Sequence, residues 1–107
     1  MPERQDTFFD VETWYEGSDK TIALIVLKGL GSYVRNNESE TTYEVVSGLA
    51  TFEFEDEPGK QFFVEAGNKV TVPMGIAYRD QGDVVMLATS TPPFNPNAVE
   101  IIQDNIQ

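Results

Sequence analysis

The chain has 107 residues, with 18 acidic against 7 basic residues, a net charge of −11, and neither cysteine nor histidine. The charge repels phosphate backbones and anionic lipid, which sets nucleic acid and membrane surfaces aside as partners. The missing residues exclude disulfides, thiol nucleophiles, thiolate or imidazole metal sites, and histidine acid–base catalysis.

The length fits one domain over 1–107, and 40% hydrophobic residues can furnish one core. Met1 to Thr7 is polar and has no apolar run of signal-peptide length. A soluble, cytoplasmic protein is the expectation.

In chain order the pattern is strand, turn, strand. Phe8 to Tyr15 is aromatic and β-branched and stops at Glu16-Gly17-Ser18-Asp19, a turn signal. Thr21 to Leu27 is apolar on both alternating faces, with Ile22, Leu24 and Val26 on one and Ala23, Ile25 and Leu27 on the other. Such a strand needs cover on both sides, which predicts a homodimer or cover from the N-terminal strand or the tail. Lys28 to Ser32 holds two glycines and predicts a bend.

Thr41 to Val46 reads as a strand closed by Ser47-Gly48. Leu49 to Glu55 reads as the next, with Ala50, Phe52 and Phe54 on its inner face. Asp56 to Lys60 reads as a hairpin turn with Pro58-Gly59 at its tip. Gln61 to Glu65, Lys69 to Val72, Ile76 to Arg79 and Val84 to Thr91 read as further strands. Gln81 to Asp83 separates the last two. A short helix from Ala98 to about Gln103, capped by Asn97, is the one helical candidate. So many short strands predict an all-β sandwich or barrel.

Two glycine-anchored segments stand out. Gly29 is followed after five residues by Arg35, after one by Asn37, after three by Thr41 and after six by Gly48. Gly67 is followed after five residues by Pro73, after one by Gly75 and after two by Tyr78. These spacings resemble the two signature motifs of the cupin superfamily. The resemblance spans Gly29 to Gly82, about half of the chain. It implies a cupin-like jelly-roll barrel, or double-stranded β-helix, with the metal-ligand positions replaced.

In that family the positions matching Arg35, Asn37, Thr41 and Tyr78 carry metal ligands that point into the barrel. The resemblance therefore implies that these four side chains surround a pocket. Alternation adds Tyr43 and Val45 to the face of Thr41, Asp80 to that of Tyr78, and Tyr33 to that of Arg35. The predicted ligand-binding set is Tyr33, Arg35, Asn37, Thr41, Tyr43 and Tyr78, with Tyr78 and Asp80 the catalytic candidates.

No metal and no other cofactor is expected. Arg35 has no acceptor lone pair, Asn37 and Thr41 offer only neutral oxygens, and Tyr78 keeps its proton near neutrality. A hard-cation site from Glu38, Glu40 and Asp80 is the alternative, although Glu38 and Glu40 flank the inward positions and should face solvent. Buried charge predicts that Arg35 pairs with Asp80 inside the barrel.

Three functions remain open from sequence. The reading that the sequence favours is a metal-free module binding a small polar or sugar-like ligand in the barrel, with no reaction assignable, and the other two are its alternatives. The second is a metal-independent isomerase, epimerase or lyase acting on a sugar or keto acid. The third is a structural barrel filled by its own side chains. An open cavity separates the third from the others. A perturbed carboxyl or phenol in that cavity separates the enzyme from the binding module.

Overall fold

The computed structural model describes residues 8–57 and 59–102. It contains eight strands: β1 (Phe8–Glu16), β2 (Thr21–Leu30), β3 (Tyr33–Asn36), β4 (Glu40–Phe54), β5 (Gln61–Glu65), β6 (Lys69–Val72), β7 (Tyr78–Thr91) and β8 (Val99–Ile102). All observed pairings are antiparallel, in one continuous hydrogen-bonded network. Among the described residues no helix is long and apolar enough to cross a membrane.

Strands β4 and β7 form the spine and pair from Glu40↔Thr91 to Phe54↔Tyr78. The Thr41 end of β4 also pairs with β6, and the Phe54 end with β5. The Ser90 end of β7 pairs with β2, and β2 with β1. Its Tyr78 end pairs with β3, and β3 with β8. The two long strands thus pass from one group of strands into the other, and the sheet curls around a core.

That passage corrects the expected breaks at Ser47-Gly48 and at Gln81 to Asp83. Both segments lie inside continuous strands. Gly48 and Gly82 have φ of +88° and +135°, and they sit where the spine bends. A Cβ on Gly48 would stand 2.1 Å from the Asp83 carbonyl oxygen, and one on Gly82 would stand 2.3 Å from that of Leu49. The glycines let two backbones touch at the bend, so no turn is needed there. Gly29 pairs with Gly82 and continues the bend into β2, which runs on to Leu30.

A register shift lies beside the bend, between Val45 and Ser47. It inserts one residue, Val46, which is exposed. The insertion changes the parity of β4: Thr41, Tyr43 and Val45 are buried before it, Ala50 and Phe52 after it. The apolar face therefore stays inward at both ends of one strand. Leu27, Phe52 and Met86 are fully enclosed, and each contributes about 2–3 kcal/mol by burial.

The tail differs from the expected helix. Pro96–Ala98 is a single 3-10 turn capped by the Asn95 side chain, which accepts from the Asn97 N–H. Val99–Ile102 then pairs with β3. Apolar residues in β8 gain a sheet edge there, which outweighs weak helix propensity over so few residues. Gln103 and Pro58 lie outside the described residues.

The bend generates a stability test. Gly48→Ala should cost about 3 kcal/mol or more, combining a left-handed backbone with a forced backbone shift. Gly75, also at positive φ but with nothing within 4 Å of a built Cβ, should cost only about 1–2 kcal/mol on replacement by Ala. Urea denaturation of both variants reads the difference, and equal losses would contradict the close-contact account.

Candidate functional site

A cavity of about 440 Å³ opens into the barrel. That lies within the size range of small-molecule sites. Ile25 and Leu27 of β2 and Val34 of β3 line it, with Phe9 of β1 and Ile101 of β8. Phe9 and Ile101 are exposed and belong to strands at opposite ends of the sheet order. The polar lining comes from Tyr43, Tyr78, Asp80 and Ser32.

Tyr43 and Tyr78 project inward from β4 and β7 and are both buried. Their hydroxyls are hydrogen-bonded to each other. Their rings belong to an aromatic cluster with Phe52, Phe54 and Phe62; Tyr43 lies 5.3 Å from Phe52, and Phe54 lies 5.5 Å from Phe62. Tyr43 and Tyr78 are the members of the cluster that also line the cavity. Burial pushes Tyr78 up to about 12, reinforced by Asp80 and partly offset by the bond to Tyr43. Tyr43 also lies well above its ordinary value, first from burial and then from Tyr78 and Asp80. Near neutrality both are hydroxyl donors or acceptors and not bases.

Asp80 sits two residues beyond Tyr78, where β7 passes the bend between β2 and β3. The Gly31 N–H donates to the Asp80 carbonyl at 2.8 Å. A Cβ on Gly31 would lie 2.5 Å from Asp80 Oδ1, so the missing side chain lets the bend pass over the carboxyl group. Burial raises Asp80 to about 6, with its own backbone N–H pulling the other way. Among the described residues no ion pair involves it.

The expected Arg35–Asp80 pair is therefore absent. Val34 is the β3 residue that faces the core, opposite Tyr78 of β7 and Ile101 of β8. Alternation then turns Tyr33 and Arg35 outward. Arg35 bonds Glu55 at 3.1 Å and Glu100 at 3.0 Å. Tyr33 lies beneath the Arg79 guanidinium, 4.7 Å from its ring centre. Asn37 is exposed, and its backbone N–H donates to the Ala98 carbonyl. Thr41 does point inward, but its hydroxyl is hydrogen-bonded to that of Ser90 at 2.9 Å, and it does not line the cavity. Of the predicted residues, the cavity brings together Tyr43, Tyr78 and Asp80.

The four positions matching the family's metal ligands do not fit a metal. Two face away from the cavity, one is committed to Ser90 and one to Tyr43. Glu38 accepts from the Asn95 side chain at the surface. No cluster of three metal-ligating His, Cys, Asp or Glu occurs among the described residues.

Sequence reasoning missed Phe9, Ile101 and Gly31. Alternation on β2 already grouped Ile25 with Leu27. Nothing local marks Phe9 or Ile101, because strands far apart in sequence bring them to one opening.

Asp80 makes stability depend on pH. Its unfolded value is 3.8 and its folded value about 6. The folded state thus retains a proton that the unfolded chain has lost. The stability that this protonated carboxyl supplies is complete below about pH 4 and is lost as pH rises through about 6. Asp80→Asn removes the charged form, so at about pH 8 it should gain up to ~2–3 kcal/mol, less where cavity water screens the charge. Near pH 3.5 the gain should vanish. Urea denaturation at both pH values measures it, and a loss at pH 8 would mean that Asp80 has a cationic partner.

No family model matches the chain, and no curated protein does. Solved structures do. Streptomyces Pac13, described as a unique nucleoside dehydratase, superposes with a TM-score of 0.74 at 20% identity, over 87% of this chain and 85% of that one. A variant of the same protein with uridine gives 0.80 at 21% identity, over 92% and 84%. KdgF from a Halomonas species gives 0.72 at 14% identity, over 83% of each chain. These likenesses concern the fold alone, and the fold of this chain is the cupin-type jelly-roll barrel.

Proposed function

We propose that the chain binds a small sugar-like molecule in the barrel cavity and exchanges a proton with it through Asp80, as a metal-independent isomerase, epimerase or lyase. The observation that carries this is the Asp80 carboxyl in the cavity wall beside the Tyr43–Tyr78 hydroxyl pair. An open cavity argues against a barrel filled by its own side chains. A carboxyl near 6 suits a general base working close to neutrality.

In the proposed step the Asp80 carboxylate takes a proton from carbon beside a carbonyl. The C–H electron pair moves into the enolate, and a tyrosine hydroxyl donates a hydrogen bond to its oxygen. Returning the proton to the other face of the same carbon gives an epimerase; returning it to the former carbonyl carbon, while the adjacent hydroxyl gives its proton to the enolate oxygen and becomes the new carbonyl, gives an isomerase. Collapse of the enolate with cleavage of a β C–O bond, the proton on Asp80 passing to the departing oxygen so that it leaves as water, gives a lyase and restores the carboxylate. Pac13 being a nucleoside dehydratase supports the choice of class, although this chain has no histidine.

EDTA-treated protein should bind members of a panel of uridine, unphosphorylated ketoses and methyl glycosides. Ser32, at the exposed rim, allows a control: Ser32→Trp should block the cavity and abolish binding without altering the fold. Incubation in D₂O should place deuterium on carbon of a bound ketose, and Asp80→Asn should abolish that exchange while still binding. Binding that disappears with EDTA, or exchange that survives Asp80→Asn, would contradict the proposal.

A homodimer belongs to the same reading. All nine residues of β1 are exposed, and its Phe8 and Tyr15 pair with Lys28 and Ile22 on the face of β2 away from the core. On β2, Ile22, Leu24 and Val26 stand beside Leu87 and Val85 of β7 on the face away from the core. A second copy would cover this apolar face. Light scattering should give twice the chain mass at about 10 µM, a concentration that tests micromolar dimers; a monomer there would contradict it.

A further inference from the structure

We infer that the cavity selects a neutral, hydroxyl-bearing ring compound with an apolar face and rejects carboxylated and phosphorylated relatives. This rests on the barrel-binding reading above and deepens it. Recognition of an acidic ligand is favoured by a cation, and the two arginines among the described residues, Arg35 and Arg79, lie outside the cavity lining. Arg35 is held outside by Glu55 and Glu100. Arg79 lies over the Tyr33 ring. Among the described residues the lining contains no lysine or arginine, and its one charged group is the Asp80 carboxyl.

An anion entering the cavity would meet that carboxyl with no compensating charge, in a setting where water is partly excluded. A cation would gain one carboxyl but lose its hydration against aliphatic walls formed by Ile25, Leu27 and Val34. A neutral ligand has a better match. Its hydroxyls can meet Asp80, Tyr43 and Tyr78, and an apolar or aromatic face can lie along β2 towards Phe9. The walls reward such a face, so a phenyl glycoside should bind more tightly than a methyl glycoside.

Two matched pairs test the inference by calorimetry at pH 8: uridine against uridine 5′-monophosphate, and phenyl β-glucoside against phenyl β-glucuronide. Measurements at about 0.5 M salt screen the general negative charge of the chain. The neutral member of the pair that binds should bind at least tenfold more tightly, and Asp80→Asn should close most of that gap. Equal or tighter binding of the anionic member would overturn the inference and leave barrel binding standing. So would tighter binding of an amino-sugar analogue. A gap that persists unchanged in Asp80→Asn would assign the rejection to overall charge and overturn the role given to this site. If neither member of either pair binds at millimolar concentration, barrel binding of these compounds fails and the inference falls with it.

Discussion

The close contact of β4 with β7 at Gly48 and Gly82 is the constraint on which the rest of the structure depends. Two long strands must leave one side of the barrel and enter the other without losing their mutual hydrogen bonds. They do so where backbone approaches backbone more closely than any side chain allows. The inserted residue at Val46 restores the inward parity of β4 beyond the bend. One curled network can then enclose a single core, and no separate turns are needed to build two sheets.

The site follows from this geometry. Tyr43 comes from one side of the bend in β4 and Tyr78 from the opposite end of β7, yet the curl brings their hydroxyls together. Phe52, across the bend, supports both rings. Asp80 lies between Tyr78 and the bend at Gly82, close under the glycine of the β2–β3 connection. Backbone crowding there puts a carboxyl group into an apolar wall, and burial holds its proton to about 6. The same placement gives a group able to exchange protons near neutrality and a cavity unfavourable to anions.

Much of the fold was legible in the sequence. The strict alternation of Ala50, Phe52 and Phe54 identified a half-buried strand, and the glycine and proline spacing resembled the cupin motifs. Gly48 and Gly82 were visible as special positions, but turn residues and bend residues look alike locally. Only the pairing partner shows that a strand continues. The site was half legible. Tyr78 followed from the resemblance, and Tyr43 and Asp80 from alternation beside the positions that it supplied. Arg35 did not, because β3 is four residues long and its phase is set by Val34 packing between β7 and β8. Two nearby acids, Glu55 and Glu100, then offered the guanidinium a solvated partnership at lower desolvation cost than Asp80 would require.

The most direct test of the account is the ionisation of Asp80 itself. Carbon-13 NMR of the side-chain carboxyls, assigned by comparison with Asp80→Asn, follows each acid through a pH titration. The account predicts that Asp80 titrates near 6, and that a neutral ligand filling the cavity moves its midpoint. A midpoint near 4 or below, unmoved by any ligand, would mean that the carboxyl is solvated or paired with a cation, and the proposed site would be lost.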